Sequence, residues 1–178
     1  MVAGVTKMLE EGWNELYLYG TFGYGKSHVL AALACYLIRQ GEEVVYLPDC
    51  RAMLRNFVGY IKGALLLTFA DSVELQGKVE ELRDEQAIED FLDEHAHSER
   101  LFIIVDQMNA LEEDKEGNRD RIDNNTKRSA TIWLNKYCLR GFFIQRASAN
   151  HNPFRHMQHQ QTDDIKIEAQ GGFSKVSN

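Results

Sequence analysis

Cysteine is scarce: Cys35, Cys50 and Cys138 are three in 178 residues, an odd number at wide spacing with no CxxC pair. That excludes a disulfide framework and a cysteine zinc site. Positive charge is in deficit as well, with 20 Lys and Arg against 27 Asp and Glu and a net charge of −7. A broadly basic nucleic-acid footprint is therefore absent, and electrostatics alone would repel DNA. No run approaches the ~20 apolar residues of a membrane span. Residues 1–15 lack the apolar core of a signal peptide. The expectation is a soluble chain with no membrane partner. No internal repeat occurs. The tail histidines His151, His156 and His159 lack the i, i+4 pair with a third ligand that a zinc site would offer.

What is present is an ordinary globular composition, 44% hydrophobic and 26% charged. The length suits one α/β domain with a buried core. The chain is organised around Gly20-Thr21-Phe22-Gly23-Tyr24-Gly25-Lys26-Ser27, which fits the Walker A template G-x-x-x-x-G-K-[ST]. Before it, Leu16 to Tyr19 are β-formers. After it, Val29, Leu30, Leu33, Ala34, Leu37 and Ile38 recur at helical spacing. Gly20, Gly23 and Gly25 permit φ > 0 and close approach to phosphate. Backbone N–H groups at the helix N-terminus then form an anion cradle. Lys26 supplies charge for the β/γ-phosphates and Ser27 a hydroxyl for Mg²⁺, with Tyr24 and His28 flanking as further nucleotide contacts. The alternative is an ordinary Gly-rich turn with a surface lysine. In either case the Lys26 side chain is expected at the surface. Cys35 falls on the helix's apolar face and reads as a small core residue.

Along the chain, Glu43 to Leu47 is the second strand, and Cys50 to Phe69 reads as a helix weakened by Gly59 and Gly63. Asp71 to His97 gives one or two amphipathic helices on the outside of the sheet. His95 and His97, at its end, suit a helix C-terminus better than a metal. Leu101 to Val105 is a continuous apolar run, as a strand covered on both faces should be. Glu112 to Asn125 reads as a mobile loop, Thr126 to Leu139 as a helix, and Phe142 to Ala147 as a strand. The pattern predicts a three-layer α/β P-loop NTPase with a doubly wound parallel sheet. Its core would be residues 1–147, and 148–178 an irregular tail that begins a region cut off at Asn178.

Asp106, at the carboxyl end of the apolar strand, is the Walker B candidate for holding Mg²⁺; the alternative is an Asp that caps the next helix. The order of elements resembles P-loop ATPases, the AAA and STAND groups, in which a fourth strand inserts between those bearing the two motifs. Ser148 and Asn150 then stand where a polar residue would sense the γ-phosphate. Many such ATPases place a glutamate after the aspartate as general base. This chain has Gln107, which can orient a water but cannot take its proton. Hydrolysis is expected to be slow, or to draw its base from Glu112, Glu113 or Asp114. Lys26, Asp106 and Gln107 are the catalytic candidates, and ATP with Mg²⁺ the cofactors.

Several stretches taken together, LYLYGTFGYGKSHVLAAL, VVYLPDC, FIIVDQMNAL and SANHN…QTDDIKIEAQGGFS, resemble the P-loop NTPase module of crinkler effectors, related to the retrotransposon-hot-spot proteins of trypanosomes. The resemblance spans most of residues 16 to 175. It implies phosphate binding by Gly20, Gly25, Lys26 and Ser27, metal binding by Asp106, and Gln107 as the family's usual replacement for glutamate. It also implies a secreted effector acting in a host nucleus, with a secretion and translocation segment before the module and a nuclease-like domain after it. Measured against that family, the chain is expected to lack both the leading segment and room for the nuclease. It reads as a truncated member, a fragment or an incomplete gene model.

Three functions compete on these residues. One is an ATPase whose nucleotide state moves an attached domain, a protein partner or a second copy in a homo-oligomer. Another is an ATP-holding switch that barely turns over. The third is a small-molecule kinase with His151 or Arg155 near the acceptor. The kinase lacks an arginine-rich lid, since Arg119, Arg121 and Arg128 lie in charged, solvated sequence.

Overall fold

Leu101–Val105 (β3) carries five consecutive apolar residues, and all five are buried. Successive side chains of a strand point to opposite faces, and the packing follows that alternation. Leu101, Ile103 and Val105 belong to one hydrophobic cluster, Phe102 and Ile104 to another. Two separate cores on the two faces of one strand require cover on both sides, which gives three layers. The computed structural model describes residues 15–19, 25–95, 101–112, 122–138, 142–146, 163–167 and 173–176.

The sheet has six strands: Glu15–Tyr19 (β1), Glu43–Leu47 (β2), β3, Phe142–Arg146 (β4), Asp163–Ile167 (β5) and Phe173–Val176 (β6). Their spatial order is β2-β3-β4-β1-β5-β6. β4 pairs in parallel with β1 on one side and with β3 on the other, so Ile144 faces Leu16 and Ile104 at one level. β2 pairs in parallel with β3, and Leu47 lies opposite Val105. The carboxyl ends of β1, β2, β3 and β4 therefore share one edge. The sheet is not wholly parallel, because β6 runs antiparallel to β5. The segment 148–178, read as an irregular tail, supplies both of these strands. β5 pairs directly with β1, so the sheet does not stop at residue 147.

Lys26–Arg39 (α1) covers one face, burying Leu30, Leu33, Ala34 and Leu37 against Leu18, Val44, Phe102 and Ile104. Two residues expected on that apolar stripe are not in it. Cys35 is exposed and Ile38 is 56% exposed. Four buried positions already fill the strip that the sheet can reach. The other face carries Cys50–Arg55 (α2), Phe57–Thr68 (α3), Val73–Glu81 (α4), Glu85–His95 (α5) and Asn124–Cys138 (α6). The one helix expected over residues 50–69 is broken at Asn56 (φ −151°, ψ 72°), whose side chain accepts from the N–H of Gly59 and caps α3. A residue that bonds its own backbone this way competes with helix continuation. Helices α4 and α5 pack on α3 rather than directly over the strands. His95 closes α5 stacked on Phe91 and edge-on to Phe69. α6 begins two residues before Thr126 because Asp123 caps it, accepting from the N–H and hydroxyl of Thr126. That hydroxyl bond, with the N–H bond, also holds the Asp123 carboxyl below the usual range. No helix of the described residues is long and apolar enough to cross a membrane.

Candidate functional site

β1 precedes the glycine-rich segment, of which Gly20, Gly23 and Tyr24 lie outside the described residues. Gly25 stands in the left-handed region, φ +70° and ψ 17°, as the N-cap of α1. Its carbonyl accepts from the N–H of Val29 at 3.0 Å, closing the first helical turn. A side chain at that φ would be strained, so glycine is what the turn requires. The helix opens with Lys26, Ser27 and His28, has no acidic residue in its first turn, and has no side chain capping it. Helix geometry aims its first N–H groups out of this end, where the macrodipole is positive. Lys26 was expected at the surface; it is 2% exposed. Ser27 is half-buried and His28 exposed. Among the described residues this edge offers hydroxyl and ammonium groups beside a helix N-terminus, the chemistry of an anion site.

Asp106 follows β3 at the same edge and is 1% exposed. Three hydrogen bonds help to build its environment. Its N–H donates to the carbonyl of Leu47 at 2.8 Å, tying it to the end of β2. Its carbonyl accepts from the Cys50 thiol at 3.0 Å. Its carboxylate Oδ1 accepts from the N–H of Gln107 at 2.7 Å. Gln107 achieves this in the left-handed region, φ 62° and ψ 36°, the one non-glycine with positive φ among the described residues. Such backbone costs of order 1–2 kcal/mol and persists where its surroundings impose it, as at functional sites. Gln107 then caps the 3-10 turn Met108–Leu111. The capping alternative for Asp106 therefore holds only locally, because its carboxylate receives the next N–H and does not start a regular α-helix.

The loop after β2 closes around this aspartate. Asp49 caps α2, accepting from the N–H of Arg51 and Ala52, and its own N–H donates to the Tyr60 hydroxyl at 2.8 Å. Burial pushes the Tyr60 phenol up, opposed by that hydrogen bond and aided by the Asp49 charge. Burial also pushes the Cys50 thiol far up, and the Asp106 and Asp49 carboxylates add to it, so Cys50 stays a neutral donor. The sequence singled out neither Cys50 nor Tyr60. The only cue was position, immediately after a strand whose end faces Val105. Lys127, 2% exposed on α6, was also missed. Ser148 and Asn150 follow the carboxyl end of β4 but lie outside the described residues, as do Glu113 and Asp114; Glu112 is exposed.

Among the described residues no cluster of three or more His, Cys, Asp or Glu could by itself hold a metal. Mg²⁺ does not need one: beside nucleotide phosphates it takes one or two oxygen donors from the protein. A buried carboxylate at Asp106 and the Ser27 hydroxyl fit that requirement.

The profile of the family described as "Bacterial DnaA ATPAse domain" matches residues 1–115. No curated protein matches the chain. Among solved structures, the ORC2 protein of Aeropyrum pernix, in ADPNP-ADP complexes, is similar over 93% of this chain at 14% identity, with a TM-score of 0.51. Drosophila ORC bound to GC-rich DNA and Cdc6 matches 94% of the chain at 13% identity, with a TM-score of 0.46, too low to carry weight. The chain covers 45% of the first and 29% of the second, less than half the length of either. The first likeness bears on fold alone, an α/β arrangement of helices about a mainly parallel sheet.

Proposed function

Since the chain belongs to the family of bacterial DnaA ATPase domains, we propose that it binds ATP at the carboxyl edge of β1 and β3, hydrolyses it slowly, and uses the nucleotide state as a conformational switch. One observation carries this reading: Lys26, opening α1 behind a left-handed Gly25, and Asp106, ending β3, are both buried at one sheet edge. Gly20, Gly23, Tyr24, Gly25 and His28 complete the phosphate turn. Ser27 and Asp106 would hold Mg²⁺, which when bound neutralises charge on the β- and γ-phosphates. Lys26 binds the same phosphates. Gln107 orients the attacking water without accepting its proton, which supports turnover well below the typical ~10 s⁻¹. Ser148 and Asn150, following β4, read the γ-phosphate.

Gln107 also supports a second reading, an ATP-holding switch without turnover. The resemblance to the crinkler module adds a finer one, in which the switch drives an attached nuclease-like domain or a protein partner in a secreted effector. A small-molecule kinase is the weakest of these, because the sequence offers no arginine-rich lid.

Thermal unfolding with and without Mg-ATP tests the proposal. ATP should raise Tm by mass action. Lys26→Met should abolish most of that rise. Single-turnover assays should release free phosphate slowly, and faster for Gln107→Glu. Bound, unhydrolysed ATP would favour the switch, and a phosphorylated acceptor the kinase. A folded wild-type chain with no shift at millimolar ATP sinks the nucleotide reading.

A further inference from the structure

Cys50 is wholly buried among the core residues of the face that carries α2 to α6. Packing alone would account for a small apolar side chain there. Its thiol does more than pack. It donates to the carbonyl of Asp106 at 3.0 Å, joining residues 56 positions apart. The N–H of Asp106 donates in turn to the Leu47 carbonyl at 2.8 Å, so the segment 47–50 holds both main-chain polar groups of this aspartate. That segment is itself fixed. Pro48 has a locked φ. The Asp49 N–H donates to the Tyr60 hydroxyl at 2.8 Å, and the Asp49 carboxylate accepts from the N–H of Arg51 and Ala52. Cys50 is therefore a donor on an anchored support, where α2 begins.

A peptide unit is planar, so the Asp106 carbonyl and the Gln107 N–H turn together. Cys50 holds one end of that plane. The Asp106 carboxylate, accepting from the Gln107 N–H at 2.7 Å, holds the other. The plane needs holding, because Gln107 stands at φ 62°, a setting that costs a residue with a Cβ. Rotating the plane about its two flanking Cα atoms would return Gln107 to negative φ. It would also swing the N–H away from the Asp106 carboxylate and take the carbonyl from the buried thiol, whose bond therefore opposes the rotation. The carboxylate is aimed by the same plane that the thiol holds. We propose that Cys50 is a positioning residue of the nucleotide site: its thiol locks the Asp106–Gln107 peptide in the left-handed setting and so fixes the direction in which the Asp106 carboxylate meets Mg²⁺. This rests on the nucleotide reading above.

Calorimetric titration of ATP with Mg²⁺ and with EDTA tests it, beside amide exchange and thermal unfolding of the nucleotide-free chains. Cys50→Ala removes the donor and Cys50→Ser keeps one. In Cys50→Ala the Gln107 amide should exchange faster than in wild type. Mg-ATP should bind about fivefold more weakly to it, while metal-free ATP stays within about twofold of wild type. Cys50→Ser should hold Mg-ATP within about twofold of wild type. Combining Cys50→Ala with Gln107→Gly should regain most of the loss, because glycine takes the left-handed setting without cost. Wild-type Mg-ATP affinity in Cys50→Ala overturns the proposal, and so does a Cys50→Ser chain as weak as Cys50→Ala. Loss of cooperative unfolding in Cys50→Ala, or an equal loss of ATP binding with and without Mg²⁺, makes the thiol core packing only and overturns it as well. A wild-type chain that binds no ATP overturns the underlying nucleotide reading instead, whatever the Gln107 amide shows.

Discussion

At the scale of single residues, the Asp106–Gln107 pair combines a buried carboxylate with a left-handed backbone. The left-handed backbone of Gln107 aims its N–H at the Asp106 carboxylate, so this position has a main-chain task besides any task of its amide. Glycine would relieve the backbone cost of order 1–2 kcal/mol and give back about 0.5–1 kcal/mol in unfolded-state freedom. Gln107→Gly should therefore melt no lower than wild type. Gln107→Val, with a β-branched side chain at positive φ, should melt several degrees lower; equal melting of the two would show that φ at this position relaxes without cost. The neighbouring Cys50 gives a pH signature. Its thiol is held above its ordinary value by burial and by two carboxylates. It stays protonated in the fold, while in the unfolded chain it ionises near pH ~8.5. The fold then binds more protons than the unfolded chain, so this contribution is whole below about pH 8.5 and falls as pH rises, by about 1.4 kcal/mol per unit at most. Chemical denaturation between about pH 8 and 10 should show the decline in wild type and a shallower one in Cys50→Ala. Parallel slopes would exclude Cys50 as the source.

At the scale of elements, α3 holds two glycines whose surroundings differ. A Cβ on Gly63 would meet nothing within 4 Å, and the position is exposed. Gly63→Ala should gain about 1 kcal/mol of helix propensity, raising Tm by about 2–4 °C for a chain of this size. A Cβ on Gly59 would lie 2.5 Å from Asn56 Nδ2, in the side chain that caps the helix. Gly59→Ala should lose in the cap, worth about 1 kcal/mol, what it gains in propensity. Two equal rises in thermal melts would mean that Asn56 swings aside freely. The same helix shows where the sequence was legible. Periodicity found the helical stretch of residues 50–69, and the apolar run found β3 buried on both faces. The break at Asn56 was not readable, because a local side-chain bond decided it, not hydrophobic spacing. Nor was the exposure of Cys35, since the apolar stripe of α1 is wider than the strip of sheet beneath it. The proposed site's Gly25, Lys26 and Asp106 were legible as letters, because the Walker A template fixes residue types at set spacing and Asp106 ends an apolar run. Cys50 and Tyr60 were not, because chain segments far apart in sequence bring them together there.

At the scale of the whole molecule, the strand order makes β1 a central strand. It is flanked by β4 on one side and β5 on the other, each in parallel register over four residues. β1 is also the strand that precedes the glycine-rich segment of the proposed site, and both of its hydrogen-bonding edges are satisfied by segments that come more than a hundred residues later in the chain. A reading that ends the core at residue 147 would leave the β5 side of β1 open. An open parallel edge presents unpaired N–H and C=O groups, a template for pairing with another chain. Chains of residues 1–147 and 1–178 should therefore behave differently. The longer should unfold in one cooperative transition and elute as a discrete species. The shorter should melt at lower temperature, form concentration-dependent aggregates on size-exclusion chromatography, and lose ATP-induced stabilisation along with the ordered base of its phosphate turn. Equal melting temperatures and equal ATP shifts would show that β5 and β6 are an addition the site does not need, and would restore the boundary at residue 147. Aggregation of the short chain with its ATP shift intact would separate the two roles, leaving β5 as edge protection alone.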